Sequence, residues 1–348
     1  MKLGLLGCGS AAYWLHLPVL RTIPGATLAA AADPAPGARE RQKRVVSIPV
    51  YEEADQLLAQ RDIDAVVICA PTGLHAELAV ATARAGKHFY LEKPIASTAA
   101  QAQQVVEAVA RASVTGVIGF NRRRHPLFEQ ARELLASGHI GQVRGVQTAF
   151  CEPTPESAMP GWKRHRSSGG GVLLDLATHH VDQIRWMLND EAASVAASIQ
   201  SDASDGDTAR VDLVMAAGAA VQGFFSFRAG LADYLLFTGE RGTLSMDRHA
   251  ASLSLRLNRG RGYGTVSRPV LPASAVAAWR VQRWWRPSAD PSYRRSLRDF
   301  VAAVSGRGLP TATLKDGVRS LEVILAAEEA AARGQPRLID RGAACGSS

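Results

Sequence analysis

Asp175 and His179 are the residues here whose spacing most directly suggests proton chemistry. They lie in the stretch Gly169-Gly170-Gly171-Val172-Leu173-Leu174-Asp175-Leu176-Ala177-Thr178-His179-His180-Val181-Asp182, four positions apart, so a helix puts them on one face. An imidazole titrating near neutrality can take a hydroxyl proton, and a carboxylate beside it can orient the ring and support its charged form. The same spacing also serves as a structural pair, and spacing alone does not separate the two readings. His179 and His180 are neighbours that point in different directions on a helix, so no metal site is expected. Another constellation is Glu92-Lys93-Pro94. A lysine held at a rigid proline bend can polarise a hydroxyl or carbonyl oxygen, and a compact ammonium differs from a guanidinium in having a tunable pKa. The alternative is a solvated Glu-Lys pair before a turn.

A third cluster could bind rather than react. Gly7-Cys8-Gly9-Ser10-Ala11-Ala12 follows the first apolar run directly and opens a helical pattern. Gly7 permits a tight turn, Gly9 lets the backbone approach a pyrophosphate, and Ala12 allows close helix-strand packing. Ser10 and the other first-turn residues bring unpaired N–H groups to the phosphates. Asp33, at the end of the next apolar run, would accept hydrogen bonds from the adenosine ribose hydroxyls and repel a 2′-phosphate. That favours NAD(H), while Arg39 and Arg41 nearby leave NADP(H) open.

These residues need elements to hold them. Apolar runs at Lys2–Leu6, Ala26–Ala32, Ala65–Cys69, His88–Leu91 and Thr115–Gly119 alternate with helical patterns at Ala11–Thr22, Leu74–Ala85 and Ser97–Ala112. Continuous apolar strands alternating with helices predict a doubly wound parallel sheet covered on both faces. Beyond residue 121 the texture changes. Helices are expected over Pro126–Ser137 and Leu173–Leu188, with a long loop between 151 and 171. Strands follow at Val143–Phe150, Ser194–Ile199, Ala209–Ala216, Ala220–Phe227, Tyr234–Phe237 and Thr243–Met246, most of them in succession, which predicts an antiparallel sheet. The segment 255–292, rich in Arg, Gly, Pro and Ser, reads as long loops, and helices near Tyr293–Ser305 and Lys315–Arg333 close the series. The expected domains are 1–121 and 122–348.

Composition narrows the function classes. The 348 residues are 47% hydrophobic and 21% charged, which excludes a disordered or fibrous chain, and length predicts about two domains. No apolar run approaches the roughly 18 residues of a membrane span. The glycines at 4, 7 and 9 break up the first apolar stretch, so no secretory signal is expected. Cys8, Cys69, Cys151 and Cys345 lack metal or redox spacing and read as reduced cytosolic thiols. Net charge is +8, yet only six of 40 basic residues are lysines and the arginines are spread along the chain. That pattern fits high-GC coding bias better than a nucleic-acid partner.

Taken together, the glycine turn, Ala70-Pro71-Thr72-Gly73-Leu74-His75, Gly86-Lys87-His88-Phe89-Tyr90-Leu91-Glu92-Lys93-Pro94 and the Gly-Gly-Gly stretch through Asp182 resemble the glucose–fructose oxidoreductase/inositol dehydrogenase/rhizopine catabolism (Gfo/Idh/MocA) family. Gly119-Phe120-Asn121-Arg122-Arg123 and Gly239-Glu240-Arg241-Gly242-Thr243-Leu244 extend the resemblance along essentially the whole chain. It implies a Rossmann domain followed by an α+β domain whose open antiparallel sheet commonly forms a homodimer or homotetramer interface. It also implies that Lys93 matches the catalytic lysine and that Asp175 and His179 match the acid–histidine pair. Pro71, Thr72, His75, Glu92, Lys93 and Asn121 then line the cofactor. Ala177 replaces a frequent glycine, His180 a frequent apolar residue, and Lys163 a frequent arginine after Trp162.

The activity implied is cytoplasmic, NAD(P)-dependent hydride transfer to or from a sugar or cyclitol, free, phosphorylated or nucleotide-linked. Lys93, Asp175 and His179 would meet that substrate. Lys163, Arg164 and Arg166, with Arg123, Tyr293 and Arg294, could reach a phosphate or carboxylate, or form a solvated basic surface. Two other readings stay open. One is a retained cofactor giving no net redox change, as in an epimerase, a glycosidase or a substrate-to-substrate oxidoreductase. The other is a non-catalytic NAD-binding subunit.

Overall fold

The computed structural model describes residues 1–258, 265–269 and 290–340, with only the backbone of 265–269. Contacts divide the chain into two compact units. The first comprises Met1–His125, Ser167–Gly169 and residues 290–321, and the second Pro126–Arg166, residues 170–258, 265–269 and 322–340. The units are not continuous in sequence: a three-residue segment and a later helix return to the first unit. The helix Pro291–Val304 returns because Leu297, Phe300 and Val301 are buried in the same apolar cluster as Leu3, Leu5, Ala31, Ala65 and Val67.

The first unit is built on six parallel strands: β1 (Lys2–Leu6), β2 (Thr27–Ala32), β3 (Val50–Tyr51), β4 (Ala65–Ile68), β5 (His88–Leu91) and β6 (Gly116–Ile118). Their order is β3-β2-β1-β4-β5-β6, so the winding reverses between β1 and β4. Ala65–Ile68 is buried along its whole length, as a strand covered by helices on both faces must be. The expected strands are present, and β3 with the helices Pro36–Lys43 and Ala54–Leu58 is additional. The first helix opens as a π-helical turn, Ala12–His16, before the α-helical Leu17–Leu20. Ligands of such sheets bind beyond the carboxyl ends of the strands at the reversal, which is where the Gly7–Gly9 turn lies.

The second unit holds β7 (Val143–Cys151), β8 (Ala192–Gln200), β9 (Thr208–Met215), β10 (Ala220–Ser226), β11 (Ala232–Gly239), β12 (Gly242–Asp247), β13 (Ser252–Asn258), β14 (Thr265–Pro269) and β15 (Arg337–Leu338). The order is β14-β13-β12-β11-β7-β10-β9-β8-β15. The sheet is antiparallel apart from one pair: β7 and β10 run parallel. A parallel pair needs a crossover, and the chain makes it through the helix Thr178–Leu188 and the β8–β9 hairpin. Alternate residues of β9 to β12 are buried, including Val211, Leu213, Val221, Phe225, Leu235, Phe237, Leu244 and Met246. This gives the sheet one covered face. β13 and β14 also correct the expectation of loops from 255 on, and the remainder of 255–292, up to 289, lies outside the described residues. No helix among the described residues is long and apolar enough to cross a membrane.

Candidate active site

In the first unit, the segments that follow β1, β2, β4, β5 and β6 at the carboxyl edge of the sheet carry most of the candidate residues. Gly7 has φ +89°, and a Cβ there would stand 2.6 Å from the Cys69 carbonyl oxygen, so only glycine fits the turn. The next positions differ: Cys8 is buried, Ser10 is exposed, and a Cβ on Gly9 would meet nothing within 4 Å. The Asp33 carboxylate accepts from the Cys8 N–H at 2.7 Å through one oxygen and from the Ala35 N–H at 2.8 Å through the other. Asp33 is thereby fixed beside the glycine turn, and carboxylate oxygens keep further acceptor positions for hydroxyls. The arrangement fits a dinucleotide: open space over Gly9, the first N–H groups of a helix, and an oriented acid. Arg41 donates to the Cys8 carbonyl at 2.8 Å, and Arg39 donates to the carbonyls of Asp33 and Pro34.

Lys93 sits just beyond β5, half-buried, before a cis bond to Pro94. Two buried histidines hold this turn. His16 Nε2 lies 2.6 Å from Glu92 Oε1, and His75 bridges Pro94 O at 2.7 Å and Ala70 O at 2.9 Å. Burial works to raise the Glu92 carboxyl, but the His16 hydrogen bond and the charges of His16 and Lys93 outweigh it and hold Glu92 below the usual carboxylate range. Burial pushes the His75 imidazole down, against its two carbonyl partners. The neutral ring has one N–H and so serves one carbonyl at a time. Sequence reasoning does not single out His16, because a lone histidine four residues after Ala12 reads as a core residue. Its partner lies 76 positions away.

In the second unit, the Gly171 stretch opens a π-helical turn, Leu173–Ala177, that continues as the helix Thr178–Leu188. Asp175 and His179 are both half-buried on this element, and the His179 ring lies 6.0 Å from that of Phe150. The ammonium of Lys163 donates to Asp175 Oδ2 at 2.6 Å. Behind them His180 is fully buried, stacked on Phe150, with Nδ1 2.5 Å from Thr148 Oγ1 and Nε2 3.0 Å from Asp233 Oδ1. Asp233 also accepts from Arg248 at 2.6 Å. The polar residue at 180 is thus accommodated by the buried Asp233, which also pairs with Arg248.

The remaining candidates are placed as follows. Pro71 and Thr72 begin the turn after β4, with Thr72 buried. Asn121 is buried and donates to Ser292 Oγ at 2.7 Å. Arg123, expected at the substrate, is buried and pairs with Asp316 at 2.9 Å. Tyr293 packs edge-on to His16 at 5.1 Å, and Arg294 donates to Thr22. Arg164 donates to the Glu156 carbonyl, and Arg166 forms a two-point pair with Glu328 at 2.5 and 2.9 Å. Lys93, Arg123 and Tyr293 belong to the first unit, while Lys163, Arg164, Asp175 and His179 belong to the second.

Comparison with known proteins gives a consistent result. The sequence model of the oxidoreductase family with an NAD-binding Rossmann fold matches residues 1–120, and that of the Gfo/Idh/MocA C-terminal domain matches residues 128–245. The chain is 32% identical over 295 residues to 1,5-anhydro-D-fructose reductase of Ensifer adhaerens, covering 83% of each chain. It is 30% identical over 336 residues to inositol 2-dehydrogenase of Rhizobium meliloti, covering 94% of this chain and 96% of the other. In fold it is similar to an oxidoreductase domain protein from Kribbella flavida, with a TM-score of 0.84 and 23% identity over 97% of this chain and 99% of that one.

Proposed function

This chain belongs to the Gfo/Idh/MocA family of oxidoreductases, with an NAD-binding Rossmann unit, and from that premise we propose that it catalyses hydride exchange at a secondary alcohol or ketone of a sugar or cyclitol. The observation that carries the reading is the seat of Lys93. Its turn lies at the same carboxyl edge as the glycine turn and is locked by His16 through Glu92 and by His75 through Pro94. The two curated relatives, named for an anhydrofructose and for inositol, support a polyhydroxylated substrate.

Gly7, Gly9, Ser10, Ala12 and Asp33 would hold the dinucleotide, with Pro71, Thr72, His75, Glu92 and Asn121 lining it, and Asp33 favours NAD over NADP. When bound, the nicotinamide supplies the hydride acceptor or donor. The chain's own residues do the rest. An imidazole nitrogen of His179 takes the proton from the substrate hydroxyl, or returns it to a ketone oxygen in the reverse direction. Asp175 supports the imidazolium, and the Lys93 ammonium stabilises charge developing on the oxygen. Exposed apolar side chains on the open face of the second sheet, Val214, Phe224 and Tyr234, favour a homodimer or homotetramer. A cytoplasmic location agrees with the buried free thiols of Cys8, Cys69 and Cys151.

The test is nicotinamide absorbance with NAD⁺ and NADP⁺ against inositols and sugars, and with the reduced cofactors against 1,5-anhydro-D-fructose. Turnover is expected, and Lys93→Ala or His179→Ala should abolish it while cofactor still binds. Near-normal turnover in either variant overturns the assignment of roles.

A further inference from the structure

In the sequence Lys163 reads either as a cation for an anionic group of the substrate or as part of a solvated basic surface, and the structure gives its ammonium a partner within the chain. Its Nζ stands 2.6 Å from Asp175 Oδ2, with the two side chains only 28% and 15% exposed. Burial works to lower the Lys163 ammonium. The charge and hydrogen bond of Asp175, with the charge of Glu152, outweigh it and hold the group above its usual value. A phosphate or carboxylate brought to this ammonium would meet the Asp175 carboxylate as well, which opposes its binding.

The pair is built into the backbone. The Gly171 N–H donates to the Lys163 carbonyl at 3.3 Å, and the Asp175 N–H donates to the Gly171 carbonyl at 3.1 Å. With the side-chain bond these two contacts close a ring that runs Lys163, Gly171, Asp175 and back to Lys163. Gly170 completes the seat. A Cβ there would run into the Lys163 carbonyl, so the glycine lets the Trp162–Lys163 backbone lie directly on the start of the helix that carries His179. The ammonium also sits 5.6 Å from the centre of the Trp162 ring. Lysine and aspartate are therefore fixed by the same few residues, before any ligand arrives.

We propose that Lys163 is a positioning residue for the proposed reaction: it fixes the charge and aim of Asp175 and acts on His179 through that carboxylate. The proposal rests on the reading of Asp175 and His179 given above. Removing one partner of a largely buried ion pair leaves the other charge uncompensated. A carboxylate so released can turn away from His179 or take up a proton.

Two measurements test this. Six lysines make the chain tractable for ¹³C-dimethyl-lysine NMR, with the Lys163 signal assigned by its loss in Lys163→Met. The Lys163 pKa should fall in Asp175→Asn, where burial is less opposed, and an unchanged value overturns the pair. The other is a cycle of Lys163→Met, Asp175→Asn and the double variant, measured with the inositol or 1,5-anhydro-D-fructose assay. Lys163→Met should lower kcat by between about tenfold and about 100-fold, with KM nearly unchanged. Lys163→Arg should recover much of the loss, because the charge returns. In the Asp175→Asn background Lys163→Met should cost nothing more, since a residue acting through another adds no further loss. Equal losses in both backgrounds, or a rise in KM alone, would assign Lys163 to the substrate and overturn the proposal. If Asp175→Asn itself turns over normally, the role given to Asp175 in the proposed reaction fails instead, and the activity stands. Thermal melts and NAD⁺ binding of each variant separate these outcomes from misfolding.

Discussion

Two glycine segments, the Gly7–Gly9 turn in the first unit and Gly170 in the other, are alike in sequence, since each is a small-residue stretch opening a helix. They differ in what occupies the place of the missing side chain. Over Gly9 there is no atom within 4 Å of a Cβ, whereas at Gly170 the chain's own Trp162 and Lys163 carbonyls fill that space. One glycine reserves room for something the chain does not contain, and the other lets the chain pack against itself. A glycine-rich motif is therefore evidence for ligand binding only when the volume above it is empty.

One methyl group added at each place should have opposite consequences. Gly170→Ala should cost about 3 kcal/mol, because the obstacle is backbone rather than the end of a flexible side chain. Urea unfolding would report this as a lower midpoint, and an unchanged midpoint would mean that the Lys163 segment does not rest on the glycine. Gly9→Ala should leave the midpoint within roughly 0.5 kcal/mol, since Gly9 is not among the residues with positive φ and nothing surrounds the new methyl. Its effect should appear in calorimetry with NAD⁺, as a loss of affinity on the order of tenfold, about 1.4 kcal/mol. Normal affinity would mean that the space over Gly9 is not where the pyrophosphate lies.

The same contrast explains what can be read in advance. Ala65–Ile68 announces itself as a buried strand because all four of its residues are apolar, and Gly7 through Ala12 carries its own context. Pro36–Lys43 gives no such signal, because Gln42 is its one buried residue and no apolar stripe marks it. Ser252–Asn258 does alternate, with Leu253 and Leu255 buried, but its neighbours' Arg and Gly content hides the pattern. The parallel pairing of β7 with β10 and the crossing of Pro291–Val304 back to the first unit depend on partners far along the chain. Charged residues suffer most from this. In the sequence Arg123 and Lys163 are cations available to a substrate, whereas in the fold Asp316 and Asp175 stand beside them. Residue type and spacing identify a charge, but the fold determines what neutralises it.

Glu92, in the first unit, ties the Lys93 turn to acid stability. Its folded pKa lies below the ordinary carboxylate value, with burial opposing and His16 leading the lowering. The stabilisation it contributes is therefore complete above the unfolded value of about 4.3 and disappears as pH falls through the lower folded value. Glu92→Gln should be less stable than the wild type near neutrality, and the gap should narrow steadily on acidification below about pH 4. A gap that stays constant through this range would show that Glu92 is not held by charge. Chemical unfolding at a series of pH values gives the slope directly.

The smallest effect is expected at Cys8, the one side chain between the two glycines of the first turn. It is fully buried, its Sγ lies 3.9 Å from the Ala32 carbonyl, and it is directed into the core rather than towards the open side of Gly9. Burial first, then the charge of Asp33, push its thiol up to about 12, with Arg41 opposing. A thiol so placed is protonated at neutral pH and a poor nucleophile, so iodoacetamide should modify native Cys8 far more slowly than the unfolded chain. Cys8→Ala should cost only ~1 kcal/mol of stability through lost packing. NAD⁺ affinity should stay within about twofold, because the bond that orients Asp33 comes from the backbone N–H at position 8. If Cys8→Ala instead weakened NAD⁺ as much as Gly9→Ala, the turn would not divide its two faces between core and ligand, and the contrast with Gly170 would lose its basis.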